Sequence, residues 1–189
     1  IMKKCGEEMP FVTNSAITHG VKFEDVAIAV YQQRNRVVVK EYGCIPHPEI
    51  EFFGASPDGI VNYESENKNY VARMLEIKCP KSRPQTGFQP NYYEAQVQGQ
   101  LEVCNLEWCD FLECDIKEYR NRDEFIKDCD DSYSKDSKDY IKFRENNMEK
   151  GAILEIYNQD LKKMEYKYPD IDFNLEQLDK WIEDNIDII

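Results

Sequence analysis

Two residues in the stretch LEIKCP, Glu76 and Lys78, stand two positions apart, and Asp58 precedes them in the stretch SPDG. Residues two apart in a strand share a face, so Glu76 and Lys78 leave the sheet together while Leu75 and Ile77 point the other way. Asp58 follows Pro57 at the start of what reads as the partner strand, and across a hairpin Asp58 and Glu76 can approach closely enough to share a hard cation. Mg²⁺ prefers oxygen donors in octahedral geometry and commonly takes one or two carboxylates, with water and phosphate oxygens completing its shell. Asp58, Glu76 and the backbone carbonyl of Ile77 would make such a partial cage. Lys78 beside it would position or deprotonate an attacking water and offset charge on a phosphate.

The pattern E-x-K alone is weak, because it occurs three times: Glu66/Lys68, Glu76/Lys78 and Glu165/Lys167. The first falls in a polar turn, where no rigid site would be built, and the last has no Pro-Asp placed just before it. Only Glu76/Lys78 combines an apolar strand, a preceding SPDG and a following basic loop with Lys81 and Arg83. Two flanking segments add to it. Glu24, in HGVKFE, is a carboxylate bordering an otherwise apolar helix face. In YYEAQVQGQL, Gln96 and Gln100 lie one helical turn apart, and amides can orient water or hold a phosphate without adding charge. Taken singly, each residue has an ordinary reading: a turn former for Asp58, a solvated strand face for Glu76 and Lys78, helix surface for the glutamines. Lys81 and Arg83 are read equally as DNA-backbone contacts or as a solvated loop.

These residues need elements to position them. Residues 18–34 carry Phe23, Val26, Ala27, Val30 and Tyr31 at helical spacing. A β-branched run at 36–45 predicts a strand, and 51–63 predicts strand, turn, strand, with Gly54, Pro57 and Gly59 as turn residues. Residues 70–79 predict an interior strand forming an antiparallel hairpin with its predecessor. A helix over 92–104 should bury Tyr93, Val97, Leu101 and Cys104, and 108–116 alternates as a half-buried strand. The charged segment 119–150 predicts exposed helix with a mobile stretch, an insertion into a single domain. Residues 151–169 predict two strands about a turn, and 174–186 an amphipathic helix with Asn174 and Gln177 at capping-box spacing. This order predicts an α/β or α+β domain.

Composition narrows the class. The 189 residues suffice for one domain with a proper core. No apolar run is long enough to span a bilayer, no signal peptide opens the chain, and an initial Ile1 predicts that the natural N-terminus is missing. A net charge of −13 argues against a nucleic-acid coat but not against an enzyme whose carboxylates are neutralised by metal. Seven cysteines without a C-x-x-C pair predict free thiols and an intracellular protein.

Glu24 in HGVKFE, Asp58 in GASPDGIV, Glu76 and Lys78 in LEIKCP and Gln96 in YYEAQVQGQL stand in the order and context of the PD-(D/E)xK nucleases. Together they resemble the lambda-exonuclease type of viral recombination nuclease over residues 15 to about 115. The resemblance implies a restriction-endonuclease-like α/β core, a mixed central sheet flanked by helices. It implies Mg²⁺-dependent removal of one strand from double-stranded DNA ends, 5′ to 3′, by a two-metal mechanism, with Mn²⁺ as a substitute ion. It also implies an overhang passed to a single-strand annealing protein, a ring-shaped homotrimer around DNA, and a place in the host cytoplasm or nucleus. Asp58, Glu76 and the Ile77 carbonyl would hold one metal and Glu24 a second. Lys78 would serve the nucleophilic water, Gln96 would support the site, and Lys81, Arg83 and Gln100 would meet the DNA. The arginine- and serine-bearing upstream helix of that family has no counterpart in IMKKCGEEMPFVTNSA, which leaves strand polarity open. An endonuclease of the same superfamily, and a nuclease fold used only for binding, remain as alternatives.

Overall fold

The structure is a computed structural model and describes residues 15–82, 91–142, 145 and 148–186. The chain divides into two compact units, one drawing on residues 1–27, 40–60 and 72–116, the other on 28–39, 61–71 and 117–189.

Helix α1, Ser15–Asn35, buries Phe23, Ala27 and Tyr31 as its spacing requires. It ends where Arg36 turns left-handed at φ 55° and Val37 N–H reaches back to the Gln32 carbonyl, a closing geometry that satisfies an orphan helix carbonyl. Beyond it the expected strand 36–45 is cut short. Only β1, Val39–Lys40, forms, and Gly43 at φ 60° turns the chain before β2, Ile45–Pro46. β2 pairs antiparallel with β3, Gly54–Ala55.

β4, Gly59–Val61, pairs antiparallel with β5, Met74–Lys78, in the expected hairpin. β5 in turn pairs parallel with β6, Cys109–Glu113. The sheet order β1-β4-β5-β6 gives a mixed sheet, and Met74, Leu75, Glu76 and Ile77 are all buried in it. Helix α2, Asn91–Cys104, connects β5 to β6, as a parallel pair requires. This is the mixed central sheet with flanking helices expected of the restriction-endonuclease-like fold. The described cysteines, Cys44, Cys79, Cys104, Cys109, Cys114 and Cys129, are free thiols. Among the described residues no helix is long and apolar enough to cross a membrane.

The second unit corrects the reading of 119–150 as exposed helix. Helix α3, Arg122–Lys127, is short, and a 3-10 turn follows at Lys138–Ile141. Asp130 and Ser137 side chains bond backbone N–H groups two residues on, an alternative to helical pairing that breaks the segment up. The few apolar residues turn inward: Phe125, Cys129, Tyr140 and Ile141 form a core with Leu178. β7, Leu154–Asn158, and β8, Lys163–Lys167, make the expected hairpin.

Helix α4, Leu175–Ile186, is capped reciprocally. Gln177 N–H donates to Asn174 Oδ1 at 2.9 Å, and Asn174 N–H donates to Gln177 Oε1 at 2.9 Å. Asn174→Ala is expected to lower unfolding free energy by about 1 kcal/mol, read from urea denaturation of the second unit's helices by circular dichroism.

Candidate active site

Sheet register builds the site. Gly59 lies opposite Leu75 and Ile60 opposite Met74, which sets Asp58 opposite Glu76 at the mouth of the hairpin. Asp58 is then fixed by its neighbour strand: the Ile77 N–H donates to Asp58 Oδ2 at 2.6 Å. Glu76 is 1% exposed in the middle of a strand whose other residues are largely apolar. A carboxylate withdrawn so far from water needs donors around it. Three supply them. The Lys78 ammonium donates to Glu76 Oε1, Gln96 Nε2 donates to the same oxygen at 2.7 Å, and Gln100 Nε2 donates to Oε2 at 2.8 Å.

Gln96 and Gln100 come from one face of α2, as their spacing predicts, but they differ in setting. Gln96 is exposed, whereas Gln100 is buried beneath Glu76 and also donates to the Ser56 carbonyl at 3.2 Å. Both partners of Nε2 are acceptors, which fixes the orientation of the amide and leaves Gln100 Oε1 buried without a partner. Gln100, expected at the DNA, is therefore placed where it anchors Glu76. Lys78 also rides 5.3 Å above the Tyr93 ring. Lys81 is exposed just past β5, and Arg83 lies outside the described residues.

Glu24 joins the group electrostatically. Burial, then the charges of Asp58, Asp25 and Glu41, push its carboxyl up to about 7, against the opposing pull of Lys78. Burial likewise holds the Asp58 carboxyl above its ordinary range, opposed by the Ile77 N–H and assisted by the charge of Glu76. These raised values mean that the folded chain binds protons the unfolded chain has released. The stability contribution of Glu24 is fully present below about 4.5 and is lost as pH rises toward about 7. In EDTA, Glu24→Gln is expected to match the wild type near pH 4.5 and to exceed it above pH 7. The gain should be on the order of 1 kcal/mol once solvent screening of a half-buried group is allowed for. Denaturant melts at the two pH values check this.

The same crowding makes the site fit a divalent cation. Hard oxygen donors, two carboxyls raised first by burial and then by neighbouring carboxylates, and an orphaned amide oxygen are what a cation would relieve. Among the described residues no group of three or more His, Cys, Asp or Glu side chains closes around one point. A hard cation bound by one or two carboxylates takes its remaining ligands from water and phosphate.

Residues 1–107 match the model of the YqaJ-like viral recombinase domain. The chain is 35% identical over 207 residues to the uncharacterized protein R354 of Acanthamoeba polyphaga mimivirus, covering 98% of this chain and 37% of that protein. Its structure is similar to crystal structures of LHK-Exo, an alkaline exonuclease from Laribacter hongkongensis, one of them in complex with dAMP. Those likenesses have TM-scores of 0.51 and 0.50 at 32% identity, and cover 62% of this chain and 57% of theirs. The chain thus spans little over a third of the viral relative and just over half of LHK-Exo. The family match covers more than half of the chain and takes in Glu24, Asp58, Glu76, Lys78, Gln96 and Gln100, so the chain belongs to the YqaJ-like viral recombinase domain family.

Proposed function

We propose that this chain is a Mg²⁺-dependent DNA exonuclease that hydrolyses one strand of duplex DNA from its 5′ end in recombination or repair. The observation that carries the reading is the register that sets Asp58 opposite Glu76, with Lys78 on the same carboxylate. Asp58, Glu76 and the Ile77 carbonyl would hold Mg²⁺, or Mn²⁺ in its place, and Glu24 would hold or orient a second ion. When bound, such ions acidify a water and offset charge on the leaving oxygen.

The chain's own residues do the rest. Ile77 N–H fixes the Asp58 carboxylate, and Gln96 and Gln100 fix that of Glu76 with neutral amides that add no competing charge. Lys78 brings a cation to the same spot, where it can take or give a proton at the attacking water and steady a phosphate oxygen. Exposed Lys81 extends that positive edge toward the DNA backbone. Double-stranded ends, a homotrimeric ring and delivery of the overhang to an annealing protein belong to the same proposal.

The test is a duplex labelled at either end, incubated with Mg²⁺, Mn²⁺ or EDTA, alongside Glu76→Gln. Metal-dependent loss of one strand from its 5′ end, absent in the variant, is the expected result. Internal cuts would assign an endonuclease instead, and metal-dependent binding without cleavage a binding module. No cleavage with either ion sinks the proposal. Light scattering of the same protein checks for the trimer.

A further inference from the structure

We infer that Tyr93 is a positioning residue for Lys78: its ring face holds the ammonium at the site without using up the ammonium's hydrogen-bond donors. The inference rests on the nuclease reading above and adds to it a residue that sequence periodicity assigns only to packing.

Lysine carries its charge on four flexible carbons, and the entropy of holding that chain in one place opposes any fixed role. Lys78 has two stations. One is Glu76 Oε1, to which it donates directly. The other is the Tyr93 ring, with Nζ 5.3 Å from the centroid, within the range at which a ring face attracts a cation. The stations differ in kind. A carboxylate engages the N–H donors themselves, and a lysine held only by Glu76 would have less left for water or phosphate. A ring attracts the charge through its quadrupole, so the N–H groups stay free to turn toward a substrate.

The ring is itself held. Tyr93 opens the first turn of α2, half-buried, with its centroid 5.5 Å from that of Phe111 and 4.3 Å from that of Tyr92. Phe111 is the β6 residue paired with Glu76, so one sheet register places the carboxylate and the support of the ring side by side. Glu76, Phe111, Tyr93 and Lys78 therefore close a circuit in which displacement of the ring displaces the ammonium.

The test compares Tyr93→Leu and Tyr93→Phe with the wild type in steady-state cleavage of end-labelled duplex DNA with Mg²⁺, with melting temperatures measured in parallel. Tyr93→Leu keeps apolar bulk for packing but has no ring face. It is expected to lower kcat about tenfold with KM within about twofold, the scale of one cation–ring contact. Tyr93→Phe keeps the face and is expected to cleave within about twofold of the wild type. Wild-type kcat in Tyr93→Leu would overturn the inference. So would equal losses in both variants, which would assign the effect to the hydroxyl, or a raised KM at unchanged kcat, which would assign the ring to substrate binding. Where the wild type cleaves, these outcomes bear on Tyr93 alone. A wild type that cleaves no DNA overturns the nuclease reading and this inference together.

Discussion

Lys78→Met is expected to lower the rate of metal-dependent cleavage by about 10³-fold while leaving the protein folded. Methionine keeps an unbranched apolar stem of similar reach, so the packing of Lys78 beside Tyr93 survives and only the charge is lost. Two consequences follow from that loss. The substrate phosphate loses the cation that stands beside the carboxylates, and Glu76 Oε1 loses its one charged donor, keeping the Gln96 amide at 2.7 Å. The first lowers kcat. The second leaves the buried carboxylate more dependent on a bound cation, so thermal stabilisation by Mg²⁺ should be larger in Lys78→Met than in the wild type. Single-turnover cleavage and melting with and without Mg²⁺ separate the two. A variant that cleaves at the wild-type rate would remove Lys78 from the chemistry. A variant that fails to cleave but melts far below the wild type would show that the lysine serves the fold.

The parts of this site legible in the sequence are those fixed by local rules. The period of a strand puts Glu76 and Lys78 on one face, and SPDG announces a hairpin that must bring Asp58 opposite them. The capping pair Asn174 and Gln177 is equally local, and the reciprocal bonds form as their spacing requires. What was not legible depends on charge brought in from far along the chain. Tyr93, Val97, Leu101 and Cys104 read as the buried stripe of α2, yet the residues of that helix that are buried are Gln100 and Val103. A glutamine reads as surface because water satisfies it best. It goes inside only where a buried acceptor awaits it, and Glu76 is that acceptor. The segment 119–150 misleads for the opposite reason. Its charged majority hides Phe125, Cys129, Tyr140 and Ile141, which have no helical period because turns built by Asp and Ser side chains separate them. Tyr93 has a further ambiguity, since a residue whose ring both packs and lies beneath an ammonium occupies the same periodic position as one that only packs.

Gln100→Leu turns this burial into an expected result. Leucine matches the periodic expectation for the helix and has nearly the same bulk, so a packing residue at this position would be neutral or stabilising. The structure requires the opposite. The variant deprives the buried Glu76 Oε2 of its amide donor and removes the bond that ties the Ser56 carbonyl to α2. Leaving a buried acceptor without its donor costs about 1–3 kcal/mol, and more where the acceptor is charged. A loss of about 3 kcal/mol in urea unfolding is therefore expected for Gln100→Leu. Part of it should be recovered by Mg²⁺, because a cation at Glu76 replaces the missing donor for the carboxylate but not for the Ser56 carbonyl. Gln100→Glu sharpens the contrast: it keeps the size and sets a second carboxylate against Glu76, so without metal it should be the less stable of the two variants, and it should gain more from Mg²⁺. If Gln100→Leu is as stable as the wild type, the amide is not what holds Glu76 in place. The carboxylate would then owe its position to Lys78 and Gln96 alone, and the site would be looser on its buried side than the convergence of three donors implies.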